Sequence, residues 1–139
     1  MVRADVAGQK IARASARLRG VEALVARSAE EFIADVQRHD LASFYLFLAI
    51  QDCIDLAAHW VADEEWGPPE DAGSTFDILA QHEAIPRDLA SAMKKAAGLR
   101  NLIGHGYEEL DHERLYHELP AGAQALKQFL AAAAAAAGL

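Results

Sequence analysis

Apolar side chains recur at intervals of three and four residues near the start of the chain, and this spacing constrains the fold more than any other feature. The interval matches the turn of a helix, whereas a strand would need alternation with a period of two. We therefore expect one long first helix that packs a single face against other helices. The residues of this stripe are Ile11, Ala14, Leu18, Val21, Val25, Ser28 and Phe32.

Capping residues and a loop divide the middle of the chain into further helices. Asp40 is a candidate N-cap for a second helix, which is apolar nearly all round at its start and reaches about Val61. This apolar character predicts a central position. A loop rich in proline and glycine follows over residues 66–73, and Ser74 is expected to cap a short helix after it.

The last third of the chain contains two signals for helix starts and one for a break. Pro86 suits the first turn of a helix, which is expected to end near His105 because the two glycines that flank it weaken the helix. Asp111 is a candidate cap for the following helix. Pro120 is expected to separate that helix from a last one.

These signals agree on one all-α domain. Apolar residues make up 53% of the 139 residues, which is enough for a single core. Alanine is abundant and β-branched residues are sparse, so helix is favoured over strand. We expect an antiparallel bundle of about five helices in which residues 1–139 form a single domain.

The distribution of charge says more about partners than the net charge of −8. The acidic excess excludes a protein coated with basic residues, but residues 87–100 contain four basic side chains and one acidic one. Such a local patch suits a few phosphate contacts and weak, salt-sensitive binding. Arg87, Lys94 and Lys95 are candidates for these contacts, with ordinary solvation as the alternative.

The cysteine content and the hydropathy of the sequence indicate in which compartment the protein is expected. Cys53 is the only cysteine, and its acidic and apolar neighbours provide no cationic activator, so we expect a buried packing residue. A chain without a disulfide framework suits a reducing compartment. The most apolar run, residues 41–50, is too short to span a bilayer. We expect a cytoplasmic protein that has no membrane partner.

Four polar residues form a stripe on the predicted second helix: Gln51, Asp52, Asp55 and His59. One interpretation is an exposed or interface-facing edge with hydrogen bonds between paired helices. The other is a carboxylate that supports a site on a neighbouring helix. The first is favoured on the sequence alone.

The run from Arg100 to Tyr107 concentrates the candidate chemistry. Arginine offers a planar charged fork that suits phosphate oxygens, and histidine can take and give a proton near neutral pH. On an ideal helix His105 lies about 140° round from Arg100, so the two would not act on one atom. Either the glycines bend the chain, or a second copy of the protein completes the site.

The residues Arg100-Asn101 followed by Gly104-His105-Gly106-Tyr107 resemble the R-x4-6-H motif of HEPN-domain proteins, in the R-x4-H-x-Y form of the HepT-like branch. The segment 50–57 with His59 is similar to the second helix of that family. The proline-containing loop and the residues before Arg100 follow its layout as well. The resemblance covers about residues 5–130. Leu102 and Gly104 depart from the pattern, in which a basic and a bulkier apolar residue are usual.

The resemblance implies a metal-independent endoribonuclease without a cofactor, which acts as the toxin of a toxin–antitoxin pair. Its partner would be a nucleotidyltransferase antitoxin of the MntA type. Arg100 and His105 match the catalytic pair of the family, and Asn101 matches the polar residue that often follows the arginine. Tyr107 matches the tyrosine that the antitoxin modifies with AMP. On this basis Arg87, Lys94 and Lys95 become candidate RNA contacts.

Cleavage of RNA by its own 2′-hydroxyl needs one group to accept a proton and another to give one, and the motif contains a single histidine. A symmetric homodimer that places two copies of His105 across one cleft would supply both, in agreement with the resemblance.

The alternative function is a non-catalytic helical module that docks to a nucleotidyltransferase and uses the same arginine and histidine for binding.

The histidines do not predict a metal site. His105, His112 and His117 are separated by seven and five residues, and neither gap places two ligands on one helix face. We expect His112 and His117 to be ordinary residues on a helix surface. The same expectation applies to three others: His39, His59 and His82.

Overall fold

The computed structural model describes residues 3–25, 27–106 and 109–139, and these contain six helices and no strand. The helices are α1 (Ala4–Leu24), α2 (Ala29–Ala34), α3 (Val36–Asp63), α4 (Ala72–Gln81), α5 (Arg87–His105) and α6 (His112–Ala136). The predicted all-α bundle is confirmed. The count of six compares with an expected count of about five; the first predicted helix is divided in two, and the two helices predicted on either side of Pro120 are one, as described below.

The first helix is shorter than its apolar stripe predicts. α1 ends at Leu24, and Val25 leaves the helix with an extended backbone. Ser28 lies outside the helix as well, where its hydroxyl accepts a hydrogen bond from the backbone N–H of Glu31 and caps α2. Serine competes for backbone hydrogen bonds in this way, so it favours caps over helix interiors. Phe32 is nevertheless fully buried, on α2.

The central helix is α3, which contacts each of the other five helices. The expected cap at Asp40 is wrong: the helix begins at Val36, and the carboxylate of Asp35 accepts from the N–H of Arg38 at 3.1 Å. By length and composition α3 is the one helix of the described residues that could cross a membrane. Since 56% of its apolar window is buried in the protein, it has the properties of the core helix of a bundle.

The caps of α4 and α5 lie close to their predicted positions. Asp71, three residues before the expected cap Ser74, is the N-cap of α4, and the two side chains form a reciprocal capping box. Pro86 immediately precedes the first residue of α5, and the helix ends at His105, as expected.

The break predicted at Pro120 is wrong, because α6 continues through it to Ala136. A proline within a helix costs about 3 kcal/mol. Here the three- and four-residue spacing of buried side chains continues unchanged across the proline, so packing offsets that cost. The buried residues on both sides are Leu115, Leu119, Ala123 and Leu126. The predicted cap at Asp111 is confirmed by its hydrogen bond from the N–H of Arg114.

One hydrophobic core joins the helices. Phe129 of α6 lies at its centre, in edge contact with Phe76 at 5.3 Å and beside Trp60 at 6.3 Å between ring centroids. Cys53 is buried in this core, and the burial raises the pKa of its thiol, as expected for a packing residue. His39 departs from expectation: it is buried against Phe32 instead of lying on the surface.

Candidate active site

Arg100 rises from the buried face of α5. The residues one turn and two turns away on the same face, Ile103 and Met93, belong to the core. Arg100 itself is half-buried. Its guanidinium therefore emerges at the seam between α5 and α3, where part of its hydration is lost and electrostatic interactions are stronger than in open water.

Two neutral amide oxygens hold the guanidinium. Nη1 donates to Oε1 of Gln51 on α3 at 2.9 Å, and Nε donates to Oδ1 of Asn101 at 3.1 Å. Nη2 donates to the same Asn101 oxygen. No carboxylate of the described residues forms an ion pair with Arg100. The side chain is thus fixed in place, and the described residues leave its positive charge available to an anion.

A short relay orients Gln51. Its Nε2 donates to Oδ1 of Asp55 at 2.9 Å, and the other oxygen of Asp55 is 3.5 Å from the ammonium of Lys10 on α1. Because a carboxylate only accepts and a guanidinium only donates, the amide of Gln51 has one orientation that satisfies both neighbours. Three helices therefore contribute to the placement of Arg100.

The polar stripe on α3 serves both of the purposes considered from the sequence. Asp52 is a partner between helices: its carboxylate is 2.7 Å from Nη2 of Arg13 on α1, and this contact raises the pKa of the guanidinium of Arg13. Gln51 instead supports the candidate site, a role that could not be assigned from the sequence, where it is only a member of the stripe. His59 lies exposed.

His105 is the last residue of α5, and its side chain is exposed. Since the backbone remains helical to this residue, the bend that would turn His105 toward Arg100 is not present, and the two lie about 140° apart around the axis. Asn101 is one turn before His105 on the same face. The bonds from Arg100 to Asn101 therefore draw the guanidinium toward the face that carries His105.

Gly104 allows α5 to approach α3 closely. A Cβ atom at this position would lie 3.1 Å from Cε2 of Phe47, which is tighter than ordinary van der Waals contact. The ring of Phe47 thus fills the space that a bulkier residue on α5 would occupy. This contact accounts physically for one of the two departures from the family pattern noted in the sequence.

Two basic residues of α5, Arg87 and Lys94, share a face with His105. Arg87, Lys94 and Asn101 lie within about 40° of His105 around the helix axis, and all are exposed. Lys94 also forms an ion pair with Asp77 of α4 at 2.8 Å. Lys95 is exposed, further round the axis, and lines the same open depression as Arg87 and Lys94. Tyr107 lies outside the described residues.

Comparison with known proteins gives a consistent result. A profile of the family described as Ribonuclease HepT-like matches residues 14–133. An mRNA nuclease HepT of Shewanella oneidensis is 30% identical over 100 residues, which cover 72% of this chain and 75% of that protein.

Two solved structures share the fold. One is a crystal structure of a toxin–antitoxin with AMP-PNP, with a TM-score of 0.86, 26% identity, and coverage of 92% of this chain and 96% of the other. The second is a tri-AMPylated Shewanella oneidensis HEPN toxin in complex with MNT antitoxin. It has a TM-score of 0.85, the same identity and the same coverage.

Proposed function

The chain belongs to the HepT-like ribonuclease family, and from that membership we propose that it is the toxin of a toxin–antitoxin pair that cleaves RNA without a catalytic metal. Arg100 and His105 are the catalytic residues of this proposal, and Asn101 supports them. The observation that carries it is the guanidinium of Arg100, which two amide oxygens fix without neutralising its charge. The cytoplasm, where the RNA and the antitoxin partner are found, is the proposed location.

The chemistry is a transfer within the RNA chain. A base takes the proton of a ribose 2′-hydroxyl, the 2′-oxygen attacks the adjacent phosphorus, and the bond from phosphorus to the 5′-oxygen breaks. An acid gives a proton to the departing 5′-oxygen. Arg100 stabilises the negative charge that grows on the phosphoryl oxygens. The products are a 2′,3′-cyclic phosphate and a 5′-hydroxyl.

A homodimer supplies the second proton-transfer group. His105 is exposed and lies away from Arg100 around α5, and the motif of one chain provides this single imidazole for two proton transfers. A two-fold axis near the last turn of α5 would bring two copies of His105 to one cleft. Exposed apolar side chains support contact with a second chain near the last turn of α5. Leu41 and Phe44 lie on the row of α3 that leads to Gln51, and Leu102 lies one turn before His105.

This placement predicts that Phe44→Asp separates the dimer. Phe44 is 53% exposed, and a charge there would be buried without a partner in the dimer. Multi-angle light scattering at micromolar concentration is expected to give the mass of two chains for the wild type and of one for the variant, with cleavage lost in parallel. Val25→Asp, at an exposed apolar residue at the end of α1, is the matched control and should remain dimeric. A monomeric wild type that cleaves RNA would contradict the dimer.

The exposed face of α5 is the proposed path of the RNA backbone. Arg87 and Lys94 lie on the face that leads to Asn101 and His105, and Lys95 flanks it. Arg87 is 18 residues before His105, so the path is about 27 Å long at a rise of about 1.5 Å per residue. Such side chains contact phosphates and set position along the RNA without reading bases.

The proposed partner is a nucleotidyltransferase antitoxin of the MntA type. The structural relatives include an AMPylated HEPN toxin in complex with an MNT antitoxin. Transfer of AMP from ATP to the phenolic oxygen of Tyr107, with release of pyrophosphate, would silence the toxin. The added phosphodiester is anionic, so it would occupy the charge of Arg100 and block entry of the RNA.

The decisive assay uses purified wild-type protein, an RNA oligonucleotide and excess chelator. Cleavage is expected to continue in chelator and to leave 2′,3′-cyclic phosphate ends. The matched control substrate carries a single 2′-deoxynucleotide on the 5′ side of the cleaved bond and should remain intact there. Cleavage of this control, or 5′-phosphate products, would contradict the mechanism.

The alternative function is a non-catalytic helical module that docks to a nucleotidyltransferase. The acidic net charge of −8 favours this second function, because it opposes RNA binding outside the basic face of α5. In that case the protein would bind the nucleotidyltransferase and leave every RNA uncut in the same assay.

A further inference from the structure

Two histidines and an aspartate from distant parts of the sequence meet at the junction of α3 and α6. His39 and Asp40 lie in the second turn of α3, and His112 is the first residue of α6. One potential ligand atom of each residue lies within 4.8 Å of those of the other two. The rings of His39 and His112 are 4.2 Å apart between centroids. None of these residues belongs to the candidate active site.

The surroundings of His39 resemble those of a metal-binding histidine. Its Nδ1 is 3.0 Å from the carbonyl oxygen of Phe32, so this nitrogen carries the proton and donates. In the neutral ring, Nε2 then has a lone pair on the side of Asp40. A hydrogen bond from one ring nitrogen to a backbone carbonyl is the usual way in which proteins fix the tautomer and orientation of a histidine ligand.

The distances fit a tetrahedral zinc site with modest adjustment. Two ligands of a zinc ion lie about 3.4 Å apart when each bond is about 2.1 Å. Nε2 of His39 and Oδ1 of Asp40 are 3.4 Å apart. The wider separations, up to 4.8 Å, close by rotation of the exposed Asp40 and the half-buried His112. His39, which is buried, needs to move least.

We propose that His39, Asp40 and His112 bind one Zn²⁺ ion per chain, with water at the fourth position. Two imidazoles and one carboxylate form a donor set that suits zinc and other first-row divalent ions and is poor for magnesium. Asp40 and the cap residue Asp111 offset the positive end of α6.

The ion would act as a clip between two helices. It would hold the first turn of α6 against α3. The connection between α5 and α6 begins directly after His105, and the ion would fix the end of this connection that joins α6. The site is therefore structural, and it lies on elements other than the last turn of α5 that carries the proposed catalytic pair. Binding of zinc to the folded protein alone would raise its thermal stability.

The test is a titration of metal-free protein with ZnCl₂ by calorimetry in a buffer that does not bind zinc. One site per chain is expected. His112→Ala and Asp40→Asn should each lower the affinity of that site at least about tenfold. His117→Ala, which removes an exposed histidine from the same helix, is the matched control and should bind as the wild type does. MgCl₂ should give no saturable binding.

Thermal unfolding provides a second measurement that does not depend on RNA cleavage. Zinc is expected to raise the Tm of the wild type and of His117→Ala, and to leave the Tm of His112→Ala unchanged. Asp40→Asn changes an exposed side chain and keeps its size, so it tests the site even if His112→Ala is poorly folded. The proposal is overturned if wild-type protein shows no stoichiometric site, or if His117→Ala weakens binding as much as His112→Ala does.

Discussion

Replacing Arg100 with alanine is expected to lower the rate of RNA cleavage by about 10³-fold and to abolish growth arrest in cells that express the protein. The size of the effect follows from the surroundings of the guanidinium. Its described partners, Gln51 and Asn101, contribute neutral amides, so neither of them can supply a positive charge in its place. The charge that develops on phosphorus would then lose the guanidinium that stabilises it.

Loss of the imidazole is expected to have a comparable effect. His105→Ala should lower the rate by at least about 10²–10⁴-fold, which is the contribution of one such group, because in the proposed dimer it removes both the general base and the general acid. Arg100→Lys distinguishes charge from geometry. Lysine keeps the positive charge, but its ammonium lacks the planar fork of donors with which arginine reaches both amide oxygens. An intermediate rate is therefore expected.

The control for these variants is Arg114→Ala. Arg114 is exposed on α6, a different helix from the proposed catalytic pair, and forms an ion pair with Glu118 one turn later. Cleavage, growth arrest and helical circular dichroism should match the wild type. If folded Arg100→Ala arrests growth as the wild type does, the assignment of Arg100 as a catalytic residue is wrong.

The helices were largely predictable because their signals are local. Asp111 was identified as a cap from the residues around it, and the end of α5 followed from the glycines beside His105. Local signals misled where two of them conflict or where packing overrides them. Ser28 fits both the apolar stripe and a cap, and Pro120 is tolerated because buried side chains on both sides of it keep their spacing.

The residues that hold Arg100 in position were less predictable than Arg100 and His105 themselves. Arg100 and His105 stand out in a short motif, whereas the bond from Arg100 to Gln51 depends on how α3 packs against α5, and the partners are 49 positions apart. The meeting of His39 with His112 depends in the same way on the packing of α3 against α6. Spacing along one helix contains no information about such contacts, since each pair comes from different helices.

Tyr107→Phe is expected to separate the activity of the protein from its control by the antitoxin. The substitution keeps the aromatic ring and removes only the phenolic oxygen, which the proposed transfer of AMP requires. Cleavage by the variant should stay within about threefold of the wild type, because the phenol is neither the base nor the acid of the proposed mechanism. Co-expression of an active MntA-type antitoxin should restore growth to cells with the wild type and fail to restore it with the variant.

Mass spectrometry of the co-expressed proteins shows directly whether AMP has been attached to the toxin. The wild type should gain the mass of one or more adenylates, and the first of these should require Tyr107. Tyr45→Phe, which removes the phenolic oxygen of a half-buried tyrosine on α3, is the matched control and should be modified and silenced as the wild type is. Since an adenylate two residues from His105 brings an anionic group to the end of α5, one modification should lower cleavage about as much as loss of Arg100. Equal covalent silencing of Tyr107→Phe would show that the antitoxin acts at another residue.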